Sequence, residues 1–184
     1  MYEVTGAWAQ TDNGDSTYDE VAITFASGFE GETDTITLEF QGDAQTERVY
    51  IANGIEFTLT VDKLDQTFYS TVWSKSVVTT GLDTAFASLQ YFGDDTETQG
   101  ISCGLRVEGN AIKDVDGVRS TVQVSVWVPS ATMFITSPPS LTVREKASQA
   151  QLRISANRTA VDISGVALPS VPTGGATYAV VEMA

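Results

Sequence analysis

Apolar residues recur at every second position along much of this chain, the period of a strand that buries one face and wets the other. Ile36, Leu38 and Phe40 alternate with Thr35, Thr37 and Glu39, and Ile55, Phe57, Leu59 and Val61 alternate with Glu56, Thr58, Thr60 and Asp62. Val122, Val124, Val126 and Val128 alternate with Thr121, Gln123, Ser125 and Trp127, and shorter alternations occur at Val21-Ile23-Phe25 and Leu152-Ile154. Residues 177–182 are expected to form a last strand. Gln41-Gly42-Asp43, Asn53-Gly54 and Asp116-Gly117 supply residues that accept positive φ, and are expected to reverse the chain between strands. The pattern predicts an all-β fold, an antiparallel β-sandwich.

One segment has a different period. Leu64, Phe68 and Val72 fall at i, i+4 and i+8, with Tyr69 and Trp73 one position over. Asp62 suits the N-cap and Asp65 the first turn. A flanking α-helix is therefore expected over about residues 63–75, its aromatic stripe packed on the sheet rather than forming a ligand box. Residues 1–20 show neither period and are expected to form an extended N-terminal arm, and residues 93–100 an acidic loop. Thr11-Asp12-Asn13-Gly14-Asp15-Ser16 and Asp94-Asp95-Thr96-Glu97 cluster oxygen atoms without the ligand spacing or terminal Glu of an EF-hand loop, so they read as solvated turns. Ser137-Pro138-Pro139-Ser140 reads as a rigid connector too short to divide domains. With 184 residues, 42% of them apolar, the chain is expected to be a single domain over residues 1–184 that needs no metal or disulfide staple.

The chain contains no His, which removes the commonest general base, the commonest metal ligand and every Ser-His or Cys-His pairing. No phosphate-binding glycine loop, dinucleotide fingerprint, nucleophile elbow or metalloprotease helix occurs. Paired carboxylates abound, but abundance singles out no pair with the separation that glycoside hydrolysis requires. The expectation is a protein that is not an enzyme and holds no cofactor or metal. The single Cys103 reads as a small buried core residue and leaves no internal disulfide, which fits assembly in a cytoplasm. Asn157-Arg158-Thr159 matches the glycosylation pattern, and the match is expected to be chance, since Met1-Tyr2-Glu3-Val4-Thr5-Gly6 shows no basic residue or apolar run of a signal peptide. No stretch has the length of a membrane span, so no membrane partner is expected.

Net charge is −14 and unevenly spread: residues 1–100 hold 18 acidic against 3 basic residues, and residues 101–184 hold 6 against 7. Such a surface repels phosphate, so specific grip on nucleic acid is not expected.

The order of these features resembles that of the major tail-tube proteins of long-tailed bacteriophages. The similarity rests on the strand ending Leu59-Thr60-Val61-Asp62 with a helix after it, and on Gly104-Leu105-Arg106-Val107-Glu108-Gly109 with the turn Asp114-Val115-Asp116-Gly117. The Val-rich strand 121–128 and the closing Ala160-Val161-Asp162-Ile163-Ser164-Gly165-Val166-Ala167-Leu168-Pro169 continue it, so that it covers most of the chain from about residue 34. The resemblance implies a structural virion protein: hexameric rings stacked into a tube around a tape-measure protein, meeting tail-tip and terminator proteins, with a channel through which DNA passes unbound. On that reading the polar faces Thr35-Thr37-Glu39, Glu56-Thr58-Thr60 and Thr121-Gln123-Ser125 are the candidate lumen lining, short-chained and acid-tinged. Arg144, Lys146, Arg153 and Arg158 form a candidate basic patch between rings, facing the acidic part of a neighbour. Trp8 and Trp127 are candidate assembly contacts. A carbohydrate-binding or adhesin-type sandwich remains as an alternative, marked by an aromatic platform, as does a tail terminator or distal-tail ring.

Overall fold

The computed structural model describes residues 3–24, 26–41, 46–62, 72, 100–137, 150–168, 171 and 175–183; the side chains of residues 34–41, 46–53, 113 and 137 lie outside that description. Eight strands are present among these residues: β1 (Glu3–Asp12), β2 (Tyr18–Ala22), β3 (Ala26–Gln41), β4 (Thr46–Val61), β5 (Ile101–Val115), β6 (Val118–Ser137), β7 (Ala150–Ala156) and β8 (Val180–Met183). Every pairing is antiparallel. The all-β expectation holds, with the strands joined in one sheet of order β2-β1-β5-β6-β7-β4-β3 and β8 beside β6. β1 and β3, distant in that order, lie against each other. The sheet therefore curls around its core.

The alternation seen in the sequence sets which face turns inward. Phe57, Leu59 and Val61 of β4 meet Cys103, Leu105 and Val107 of β5 and Leu152 and Ile154 of β7 in one apolar cluster, which Ala7 and Ala9 of β1 complete. Removing each large aliphatic side chain from water contributes about 1.5–3 kcal/mol.

β6 departs from strict alternation. Leu105 stands opposite Val128 and Cys103 opposite Ala131, so Pro129 and Ser130 together face Gly104 alone. This β-bulge shifts the inward set from Val124 and Val128 to Ala131 and Met133, from even to odd positions. Pro129 is fully buried there, at a place where a strand tolerates the loss of an N–H donor. The same point divides the partners of β6: Val124–Trp127 pair with β8, and residues from Ala131 to Ser137 pair with β7.

The expected reversal at Asp116-Gly117 is found as a two-residue turn between β5 and β6, with φ of 52° and 81°. Positive φ at both central residues is the type I′ signature, whose twist matches the flanking strands. The reversal expected at Asn53-Gly54 is not found. β4 runs straight through, and the register steps from Asp34–Gly54 to Thr35–Ala52, leaving Asn53 as the extra residue of a bulge. Instead β3 ends at Gln41, where the first expected turn begins.

In place of an N-terminal arm, residues 3–12 form β1, paired to β2 on one side and β5 on the other. Its inward residues are Ala7 and Ala9, too small to give a hydropathy signal yet buried. Val72 is buried in the core cluster, but the rest of the expected helix 63–75 lies outside the described residues, and no flanking helix is seen among them. Residues 93–99 and 138–149 lie outside them as well.

Leu105→Ala empties a fully buried site and is expected to lower unfolding free energy by about 3 kcal/mol in urea titration. Val118→Ala, on a residue 70% exposed at the hairpin tip, is expected to change it by less than about 0.5 kcal/mol. Burial pushes the Cys103 thiol from 9.0 up to about 12. Between those values the unfolded chain ionises while the native chain keeps its proton, so stability falls as pH rises through that window. Native protein should resist alkylation at about pH 8 and label rapidly in denaturant, and Cys103→Ala should remove this alkaline slope.

Candidate functional site

The outward face of β1, β2, β5, β6 and β8 carries a connected set of polar and aromatic side chains. Register dictates the assembly. Trp8 stands opposite Arg106, Arg106 opposite Trp127, Gln10 opposite Glu20, and Glu108 and Glu182 flank Ser125. Because outward residues share a face at every second position, these side chains converge.

Gln10 is the pivot. It is 2% exposed although it faces outward, and its amide is used at both ends: Oε1 accepts from Trp127 Nε1 at 2.9 Å, and Nε2 donates to Glu20 Oε1 at 3.0 Å. Glu20 Oε2 in turn accepts from Arg106 at 3.0 Å. The Arg106 guanidinium lies 4.5 Å from the centre of the Trp8 ring, a cation-π stack. Two glycines make the room: a Cβ on Gly6 would run into the Trp8 ring, and one on Gly104 would lie 2.7 Å from Gln10 Oε1. Arg106 Nε is buried without a hydrogen-bond partner, with Glu108 Oε1 4.0 Å away.

Above this layer lies a cleft of about 580 Å³, lined by Gln10, Tyr18, Glu20, Arg106, Glu108, Gln123, Ser125, Trp127, Glu182 and Met183. Gln123 and Ser125, read from the sequence as lumen lining, thus form part of its wall, and Thr121 is exposed farther along β6. A second sector of the outward face lies over β4 and β7. Here Glu56 accepts from Arg153 Nε at 2.9 Å, and Arg153 lies 5.6 Å from the centre of the Phe134 ring. Thr58 stands opposite Arg153, with Thr60 beside it on the same face. The structure thus joins one residue of the expected lumen face to one of the expected basic patch. Arg158 donates to the Ala176 carbonyl at 3.3 Å. Arg144 and Lys146 lie outside the described residues, and Thr35, Thr37 and Glu39 are placed only by register, opposite Ala52, Tyr50 and Arg48.

Among the described residues, no group of three or more acidic or Cys side chains is arranged to hold a metal ion. Asp12 and Asp15 are engaged with their own loop, accepting from Gly14 N at 2.8 Å and Thr17 N at 3.1 Å. No described helix is long and apolar enough to cross a membrane. In comparisons with known proteins, no family model and no curated protein matches this chain.

Trp8 and Trp127 are legible in the sequence as candidate contacts, whereas Gln10, Glu20 and Arg106 are not. Their signal is register: Arg106 lies directly across from both tryptophans, Gln10 lies two positions along β1 from Trp8, and Glu20 lies opposite Gln10, and register depends on pairing partners distant in sequence.

Gln10→Leu leaves the Trp127 N–H and one Glu20 oxygen without partners. It is expected to cost about 1–3 kcal/mol in urea unfolding, with altered tryptophan emission in the native state. Glu56→Gln, in the exposed pair with Arg153, is expected to cost less than about 1 kcal/mol.

Proposed function

We propose that this chain is a structural subunit of a bacteriophage tail tube, a β-sandwich with a helix over 63–75 whose copies form stacked, hexameric rings around a channel for DNA. The observation that carries this reading is the outer half of the β3–β4 hairpin. β7 pairs with β4 only from Ile55 to Val61, whereas β3 and β4 remain paired out to Gln41 and Thr46. Among the described residues, β3 and β4 thus continue as a two-stranded ribbon of roughly 25 Å beyond the end of β7. Its register sets Ile36 opposite Ile51 and Leu38 opposite Val49. A lone ribbon with such pairs is marginal in water and gains stability from a further layer or strand.

Sheet order supports the same reading. Among the described residues, β2 pairs only with β1 and β3 only with β4, leaving an edge at each end of one sheet. Two different edges on one molecule form a heterologous contact, which generates rings when the rotation closes. Residues 101–184 carry the basic surplus that could meet a neighbour's acidic edges. In this proposal the β3–β4 ribbon and the Glu56-Thr58-Thr60 face line the channel, a tape-measure protein fills it before DNA passes, and tail-tip and terminator proteins cap the ends. No catalysis is invoked, and the virion is the site of action after assembly in the host cytoplasm.

Electron microscopy of concentrated protein should show rings or open tubes, and single unstacked rings would favour a terminator or distal-tail role. Replacing residues 36–50 by a short glycine linker should abolish assembly while leaving a folded monomer, because the pairing of β4 with β7 runs from Ile55 to Val61 and lies beyond the replaced segment. A sedimentation profile that stays monomeric at all concentrations, with or without tape-measure protein, would overturn the proposal.

A further inference from the structure

We propose that the cleft over Arg106 and Trp127 is a binding site for a neutral saccharide. Its wall sets hydrogen-bond donors and acceptors side by side: the Arg106 guanidinium, the Gln123 amide, the Ser125 hydroxyl and the Glu108 and Glu182 carboxylates, next to the Trp127 indole. An anion would meet Glu20, Glu108 and Glu182 against a single Arg. An apolar ligand would strand these polar groups away from water. A sugar satisfies both kinds of group, since each hydroxyl donates and accepts, and its C–H face stacks on indole. The cleft of about 580 Å³ has the volume of an ordinary small-molecule site and accommodates about two sugar rings.

Two further observations favour a ligand over a solvated surface. The Trp127 indole is held by Gln10, and the guanidinium is fixed between the Trp8 ring and Glu20, so the polar wall is ordered before anything binds. Pre-ordering removes much of the entropic cost of association. In addition, the Arg106 side chain is 35% exposed and, among the described residues, its hydrogen bond is made through one terminal nitrogen to Glu20. The guanidinium is thus not fully engaged by its own chain, and its free donor capacity suits an oxygen-rich ligand.

The site belongs to one chain and does not depend on ring formation. Unassembled full-length protein is titrated with short oligosaccharides of glucose, galactose, mannose and N-acetylglucosamine, following tryptophan emission and saturation-transfer NMR. At least one is expected to bind, and to bind about tenfold more weakly to Glu182→Ala, which alters an exposed residue of the short strand β8. Gln123→Ala should act in the same direction, and Glu56→Gln, in the other sector, should leave affinity unchanged. Trp127→Phe keeps a stacking ring and should weaken binding without abolishing it. Binding by none of these sugars overturns the proposal. So does sugar binding indifferent to Glu182 and Gln123, or a preference for a lysine-rich peptide, which would mark the cleft as a cation site. Assembly in the microscope is a separate readout, so failure of either idea leaves the other standing.

Discussion

The bulge at Pro129 and Ser130 is the constraint on which the rest of the sheet depends. β6 is the only described strand that pairs with three others, β5 along most of its length and β8 and β7 on successive parts of its other edge. An unbroken alternation would carry the inward set from Val128 to Ser130, Thr132 and Phe134. The extra residue moves Ala131 and Met133 inward instead, where both are fully buried. A bulge also bends the strand and increases its twist. That bend suits a sheet whose β1 and β3 come together around the core. One added residue thus keeps two apolar runs on one face and helps that sheet to curl.

On the outward face, one arrangement occurs twice. Arg106 lies over Trp8 and is tied to Glu20, and Arg153 lies over Phe134 and is tied to Glu56. Half-exposed ion pairs contribute at most about 1 kcal/mol each, and exposed cation-π contacts about the same. Their consequence is therefore orientation more than stability. In each case the aromatic ring supplies a flat support and the carboxylate fixes the rotation of the guanidinium, giving an acidic surface two ordered cationic points.

The uneven charge also acquires a structural meaning. Asp19 and Glu20 lie on β2, and Glu30, Glu32, Asp34 and Glu39 lie on β3, the strands at the two ends of the sheet. Carboxylates along both edges disfavour indiscriminate strand addition, because like charges would be brought together. An edge of this kind accepts a partner that brings cations. In the proposed ring, closure and specificity would thus have a common electrostatic origin.

The sequence by itself determined the secondary-structure class and the inward face of two strongly patterned strands. Ile55 to Val61 and Val122 to Val128 are strands whose apolar positions turn inward or toward the core margin, and Asp116-Gly117 reverses the chain as its chemistry demands. Side-chain period and turn preference are local, so a single chain displays them. The sequence did not disclose β1, whose buried alanines have little hydropathy, or the passage of β4 through Asn53-Gly54 and of β6 through Pro129. A bulge looks like the end of a strand until a partner shows which residue is supernumerary. The outward cleft was equally hidden. Gln10, Glu20, Arg106 and Trp127 come from four strands, and only the register that packing selects brings them within hydrogen-bond distance of one another.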